Sequence, residues 1–101
     1  MDREELLERY ARGERNFAGV DLHGVDLSGA VLRNINFDRA DLSEVNFSGA
    51  DLDEAYGDGI SFDCCYLLDT NLGMDLNIAS YDGAMIEGTI LENEDLYFGW
   101  T

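Results

Sequence analysis

Large apolar residues recur every five positions along most of this chain. They run Phe17, Leu22, Leu27, Leu32, Phe37, Leu42, Phe47 and Leu52. Gly57 takes the next position, and the series resumes at Phe62, Leu67 and Leu72. One residue is then dropped, and the series continues at Leu76, Tyr81, Ile86, Leu91 and Leu96. An amphipathic helix needs a period of 3.6 and a half-buried strand a period of 2, so neither explains five. A smaller residue sits two positions before most anchors, as in Val20, Val25, Ala30, Ile35, Ala40, Val45, Ala50, Ile60, Cys65, Met74, Ala79 and Thr89. Asp or Asn often lies between the two, as at Asp21, Asp26, Asn36, Asp41, Asn46 and Asp51. A three-residue strand reads in, out, in, so small residue and anchor face inward and the Asp or Asn faces out.

The two remaining residues of each pentamer must turn a corner. The second is Gly at 19, 24, 29, 49, 59, 83 and 88. A type II turn needs φ > 0 at that position, which Gly supplies without strain. Near-right-angle corners would close four pentamers into a square coil of about twenty residues. Stacked coils would sit about 4.8 Å apart and bring residues one coil apart into columns. Phe17, Phe37, Gly57 and Leu76 form one expected inward column, and Leu27, Phe47, Leu67 and Ile86 another. Such a repeat buries a core between coils rather than between layers. Gly57 should then leave a gap into which Phe62 or Tyr56 leans, and Gly57→Leu should be tolerated if that space is empty.

Ahead of the repeat, "MDREELLERYARG" predicts a helix over 2–12. Asp2 is its N-cap, Glu5 completes a capping box, and Gly13 stops it. Leu6, Leu7 and Tyr10 share a face that should cover Phe17, Val20 or Leu22. The chain divides into a capping helix at 1–13 and a β-helix with an aromatic tail at 14–101.

The runs Ala40-Asp41-Leu42 and Ala50-Asp51-Leu52 resemble the pentapeptide-repeat family, over about residues 15 to 98. The stretch "LLERYARGERNFAGVDL" is similar to the N-terminal helix and first coil of cyanobacterial members. The resemblance implies an all-β solenoid, a right-handed quadrilateral β-helix. With the period, it makes about four coils and an N-terminal α-helical cap. Some members imitate duplex DNA and bind type II topoisomerases, so the resemblance also implies that activity as an alternative. This chain departs from those members in having roughly half their coils and no evident long inserted loop.

Charge limits the partners. The chain has 22 acidic and six basic residues, for a formal charge of −16. All bases are Arg, and all lie at or before Arg39; residues 40–101 carry fourteen acids and no base. Nucleic acid and anionic membranes are therefore poor partners, and a basic protein surface is a better one. The simpler reading of such charge is solubility. The charged first twenty residues do not read as a signal peptide, no apolar run reaches membrane-spanning length, and a cytoplasmic location is expected. The adjacent Cys64 and Cys65 form no disulfide framework.

No catalytic constellation appears: there is no phosphate loop, nucleophile elbow or metal-spaced Cys/His cluster. The expectation is a non-enzyme without cofactor or metal. His23, the one histidine, is expected at the surface. Stacked carboxylates at Asp21 and Asp41, Asp38 and Asp58, and Asp63 and Asp82 could hold a hard cation, but a solvated face explains them as well. Outward apolar residues cluster late, at Tyr56, Tyr66, Leu68, Ile78, Met85, Ile90, Tyr97, Phe98 and Trp100. The candidate partner-binding residues are Tyr66, Leu68, Met85, Tyr97, Phe98, Trp100, Asp63 and Asp82. They suit an unknown protein with a basic surface. The aromatic end also suits a homodimer that closes the open last coil.

Overall fold

The computed structural model describes residues 1–73, 75–88 and 90–91. Among these described residues are one helix, α1 (Arg3–Ala11), and four short strands: β1 (Tyr56–Ser61), β2 (Asn71–Gly73), β3 (Asp75–Ser80) and β4 (Ile90–Leu91). Asp2 caps α1 by accepting the Glu5 N–H at 2.8 Å. Only half of the expected capping box forms, because the Glu5 carboxylate lies 3.5 Å from Arg9 instead. The helix ends as predicted. Gly13 adopts φ +99, its N–H donates to the Tyr10 carbonyl, and the Glu14 N–H reaches back to Arg9. This double bond pattern satisfies the last helical carbonyls.

From residue 16 to the last described residues, 90–91, the chain is a β-helix solenoid. Parallel bridges join Asn16 to Asn36, Asp21 to Asp41, Asp26 to Asn46 and Val31 to Asp51. The next turn continues each ladder, to Tyr56, Ser61, Tyr66 and Asn71. Every step so far spans twenty residues. The following step spans nineteen: Tyr56 pairs with Asp75, Ser61 with Ser80, Tyr66 with Met85 and Asn71 with Ile90. The dropped residue seen in the sequence is this change of step. Most faces contribute one bridging residue rather than a strand, because corners interrupt the pairing on both sides. The Cα envelope measures 38 × 21 × 20 Å.

The corners follow the type II pattern. The Val20 N–H donates to Phe17 O at 3.2 Å, Val25 to Leu22 and Ala30 to Leu27, and the same bond recurs upward to Ala84 and Tyr81. The residue before each acceptor's partner has positive φ. Gly fills many of these sites, but Asn34, Arg39, Glu44, Glu54, Cys64 and Asp69 occupy others at φ 54–62. A side chain there costs about 1–2 kcal/mol, partly offset by glycine's larger unfolded-state entropy of about 0.5–1 kcal/mol. Cys64→Gly is therefore expected to stabilise the protein by about 0.5–1 kcal/mol. A urea midpoint that rises at unchanged slope is the check.

Inside, the predicted anchors from Phe17 to Leu72 are buried, Gly57 aside, as is Leu76, with Tyr81 and Ile86 half-buried. Phe47 and Phe62 meet across the lumen edge to face, with centroids 5.8 Å apart. Thr70, the one buried polar side chain among the described residues, donates its hydroxyl to Phe47 O at 2.6 Å. Leu6 of α1 is fully buried, and Leu7 and Tyr10 pack partly against the same core. Side chains of α1 also reach the first turn's carbonyls. Arg3 donates to Asp26 O at 2.9 Å and Ser28 O at 3.2 Å, and the Tyr10 hydroxyl donates to Arg33 O at 2.7 Å. Those oxygens have no lower turn to pair with, so the helix satisfies them through side chains. Arginine stacking adds to this end: Arg9 lies 5.0 Å above the Phe17 ring and Arg15 3.6 Å above Tyr10.

Four expectations need correction. Gly57 leaves no gap. Its φ is +141, and a Cβ there would lie 2.5 Å from the Asp38 nitrogen and 2.8 Å from the Phe37 carbonyl carbon. Backbone fills the space, Tyr56 stays exposed, and Phe62 keeps its own inward place. Ile78 and Ala79 exchange roles: Ile60 pairs with Ile78, which packs half-buried against the core, while Ala79 is exposed. The register irregularity in β1 and β3 causes the exchange. Val20 and Val25, expected inward, are only half-buried at the first turn. Asp51, expected to be exposed like Asp21, Asp26 and Asp41, is half-buried beside Arg33. The expectations at Met74, Thr89 and Leu96 lie outside the described residues.

Candidate interaction surface

The outward Asp and Asn residues have a local structural task that spacing alone did not reveal. Each accepts the N–H of the first corner residue two positions on: Asp21 from His23, Asp26 from Ser28, Asp41 from Ser43, Asn46 from Ser48 and Asp51 from Asp53. These Asx turns satisfy a corner donor that the ladder leaves open. Hydrogen bonds from Ser28 hold the Asp26 carboxyl below its ordinary range, and those from Ser43 do the same for Asp41. Such carboxylates contribute stability above the ordinary carboxylate range, and it is lost as pH falls through their lowered values. The general preference of Asp and Asn for Asx turns was the signal that could have exposed this role.

The stacked carboxylates are also tied into the chain. Asp38 accepts the Asp58 N–H at 2.9 Å, and Asn77 donates its side-chain amide to Asp58 at 2.5 Å. Asp63 accepts the Asp82 N–H at 2.9 Å and the Ser80 hydroxyl. Among the described residues no group of three His, Cys, Asp or Glu side chains is placed to hold a metal ion. His23 is exposed and bridges two turns, its ring nitrogens 2.8 Å from the Ser43 hydroxyl and 2.6 Å from the Glu44 carboxylate. Cys65 is buried and donates to Leu42 O, and burial pushes its thiol up to about 12. Cys64 is exposed at its corner.

The positive charges are consumed nearby. Arg9 pairs with Glu14 at 2.6 Å, which raises the Arg9 pKa and lowers that of Glu14. Arg33 pairs with Asp53 at 2.7 Å, Arg12 lies near Glu8, and Arg39 near Asp38. Arg3 and Arg15 donate to backbone carbonyls.

Beyond residue 55 the candidate residues separate. Tyr66 and Met85 are ladder partners facing outward, 45% and 48% exposed. Leu68 is half-buried at the adjoining corner, followed by exposed Asp69, with exposed Glu87 one turn above. On the opposite corner Asp82 is exposed, while Asp63 is half-buried with its carboxylate engaged as above. The structure thus brings Tyr66, Leu68, Met85 and Asp82 onto one side of the solenoid or its edges. Tyr97, Phe98 and Trp100 lie outside the described residues.

The family model for pentapeptide repeats matches eight copies, over residues 16–53 and 40–73. The chain belongs to the pentapeptide-repeat family. A solved pentapeptide-repeat protein of Nostoc PCC 7120, alr5209, is 23% identical with a TM-score of 0.50, over 91% of this chain and 78% of that one. HetL, a pentapeptide-repeat protein involved in heterocyst differentiation regulation in Nostoc sp. strain PCC 7120, is 26% identical with a TM-score of 0.46. That match covers 74% of this chain, and this chain spans 38% of HetL. AT2G44920, a pentapeptide-repeat protein of the Arabidopsis thaliana thylakoid lumen, is 19% identical with a TM-score of 0.45, over 74% and 60%. The search of curated proteins found no match. Among the described residues no helix of this pentapeptide-repeat chain is long and apolar enough to cross a membrane.

Proposed function

We propose that this chain is a non-enzymatic, acidic protein-interaction module. In this reading it is a right-handed quadrilateral β-helix of about four coils at 14–101, with residues 1–13 as its helical cap, working in the cytoplasm. One observation carries the proposal: each arginine is engaged with nearby acids or carbonyls in the first half or at its border, and residues 40–101 have no base. Beyond Asp53, which Arg33 reaches, the carboxylates among the described residues therefore have no cation of their own, and a basic protein surface is their complement. A pull-down from native-host lysate tests it. A basic protein should be retained at about 0.03 M salt and released by about 0.3 M, as the Debye length contracts. Failure to retain any basic protein at low salt contradicts the proposal.

The regular stacking of carboxylates such as Asp63 over Asp82 favours a second reading, imitation of duplex DNA toward a type II topoisomerase or another basic nucleic-acid-binding protein. Inhibition of topoisomerase supercoiling by the purified chain would single out the topoisomerase as target, and no inhibition would remove that target from the reading. A homodimer through the C-terminal end, by Tyr97, Phe98 and Trp100, remains a separate proposal. Sedimentation at high salt tests it, with a monomer at high concentration as the contrary result.

A further inference from the structure

We infer that the outward side at Tyr66 and Met85 is a docking surface for a partner segment with one large apolar residue flanked by Lys or Arg. This rests on the acidic-module reading and names the surface and the chemistry it would use. The lower part of the same ladder is polar, Asp26 then Asn46, and it turns apolar only at Tyr66 and Met85. Those two residues are bridge partners on successive turns, whose backbones lie about 4.8 Å apart. Leu68 extends the patch toward one corner. Methionine adapts its shape to a variable apolar partner, and a tyrosine face attracts Lys and Arg as well as apolar groups.

Carboxylates flank the patch on both sides. Asp82 stands at one corner, and Asp69 and Glu87 at the other, all exposed. Among the described residues none of these three carboxylates has a hydrogen-bond or ion-pair partner, in contrast to Asp63, Asp58 and Asp53. Charge complementarity therefore selects a cationic occupant. A second copy is disfavoured on the same ground. A two-fold contact here would oppose each copy's carboxylates to the other's, with no base after Arg39 to separate them.

The test titrates two peptides into the isotope-labelled full chain at about 0.05 M salt, Arg-Lys-Leu-Trp-Lys-Arg and Arg-Lys-Ser-Ser-Lys-Arg, and follows backbone amide shifts. The apolar peptide should bind at least about tenfold tighter. Its shifts should centre on residues 65–69 and 82–87. Tyr66→Ser combined with Met85→Ser should abolish the advantage while leaving the serine peptide's affinity unchanged. Should that pair disturb the fold, Asp69→Asn with Glu87→Gln is the second variant, and it should weaken both peptides severalfold. Equal binding of the two peptides, or shifts centred elsewhere, overturns this docking surface and leaves the acidic-module reading standing. Binding of neither peptide at concentrations on the order of 1 mM removes both. Shifts at Tyr66 and Met85 on concentrating the protein alone place a second copy on the face and overturn the inference.

Discussion

Gly57→Ala is expected to lower stability by about 2–6 kcal/mol. Two costs add. The backbone there has φ +141, a region essentially reserved for glycine, which costs a side chain about 1–3 kcal/mol. The new Cβ would also stand 2.5 Å from the Asp38 nitrogen and 2.6 Å from its Cα. Those are backbone atoms of the turn below, held by the bond from Phe37 N to Tyr56 O at 2.9 Å, so they cannot swing aside as a side-chain tip would. Overpacking of that kind costs about 1–3 kcal/mol more. A small domain has about 5–15 kcal/mol in all, so the variant should unfold at far lower urea or fail to accumulate. Gly19→Ala is the comparison: φ is +71 but nothing lies within 4 Å of the added carbon, so only the strain is expected.

Phe47→Ala is expected to cost about 3–5 kcal/mol, the range for removing a buried aromatic ring. Phe47 is fully buried between the turns of Leu27 and Leu67 and meets Phe62 edge to face. The neighbours are held by ladder bonds and corners, so the cavity can collapse only partly. Tyr66→Ala, nineteen residues along and on the outer face, should change stability by no more than about 0.5 kcal/mol. Urea unfolding of the two variants measures the contrast. Near-equal losses would mean that inside and outside have been misassigned. Phe47→Ala combined with Phe62→Ala should be non-additive, because the rings touch.

These effects show where sequence pattern was informative. Period five marks the core because each pentamer makes one face and one corner, and so the anchors from Phe17 to Leu72 could be named as inward, Gly57 excepted. The dropped residue before Leu76 was visible as a break in spacing and returned as the nineteen-residue step. Gly57 was not legible. Its place in the series suggested a missing anchor, but a glycine is silent on whether space or backbone lies beside it. Ile78 and Ala79 were misassigned because a register irregularity in one corner reverses inside and outside without altering the flanking anchors. At the surface, the outward direction of Tyr66 and Met85 was readable from alternation. The Asx turns of Asp21, Asp26 and Asp41 were not, since a carboxylate at an outward position reads the same whether it caps a corner or meets a partner. The contacts of Arg3 with Asp26 and Ser28 span more than twenty residues and leave no local pattern.

The docking surface depends most on the step from twenty residues to nineteen, because that step sets Met85 beside Tyr66. Nuclear Overhauser contacts between backbone protons across the ladders measure it directly. The account predicts contacts from Asn46 to Tyr66 and from Tyr66 to Met85, with Leu67 N–H bonded to Met85 O. Contacts from Tyr66 to Ile86 would instead show that the twenty-residue step persists. That result would turn Met85 away from Tyr66 and contradict the surface described here.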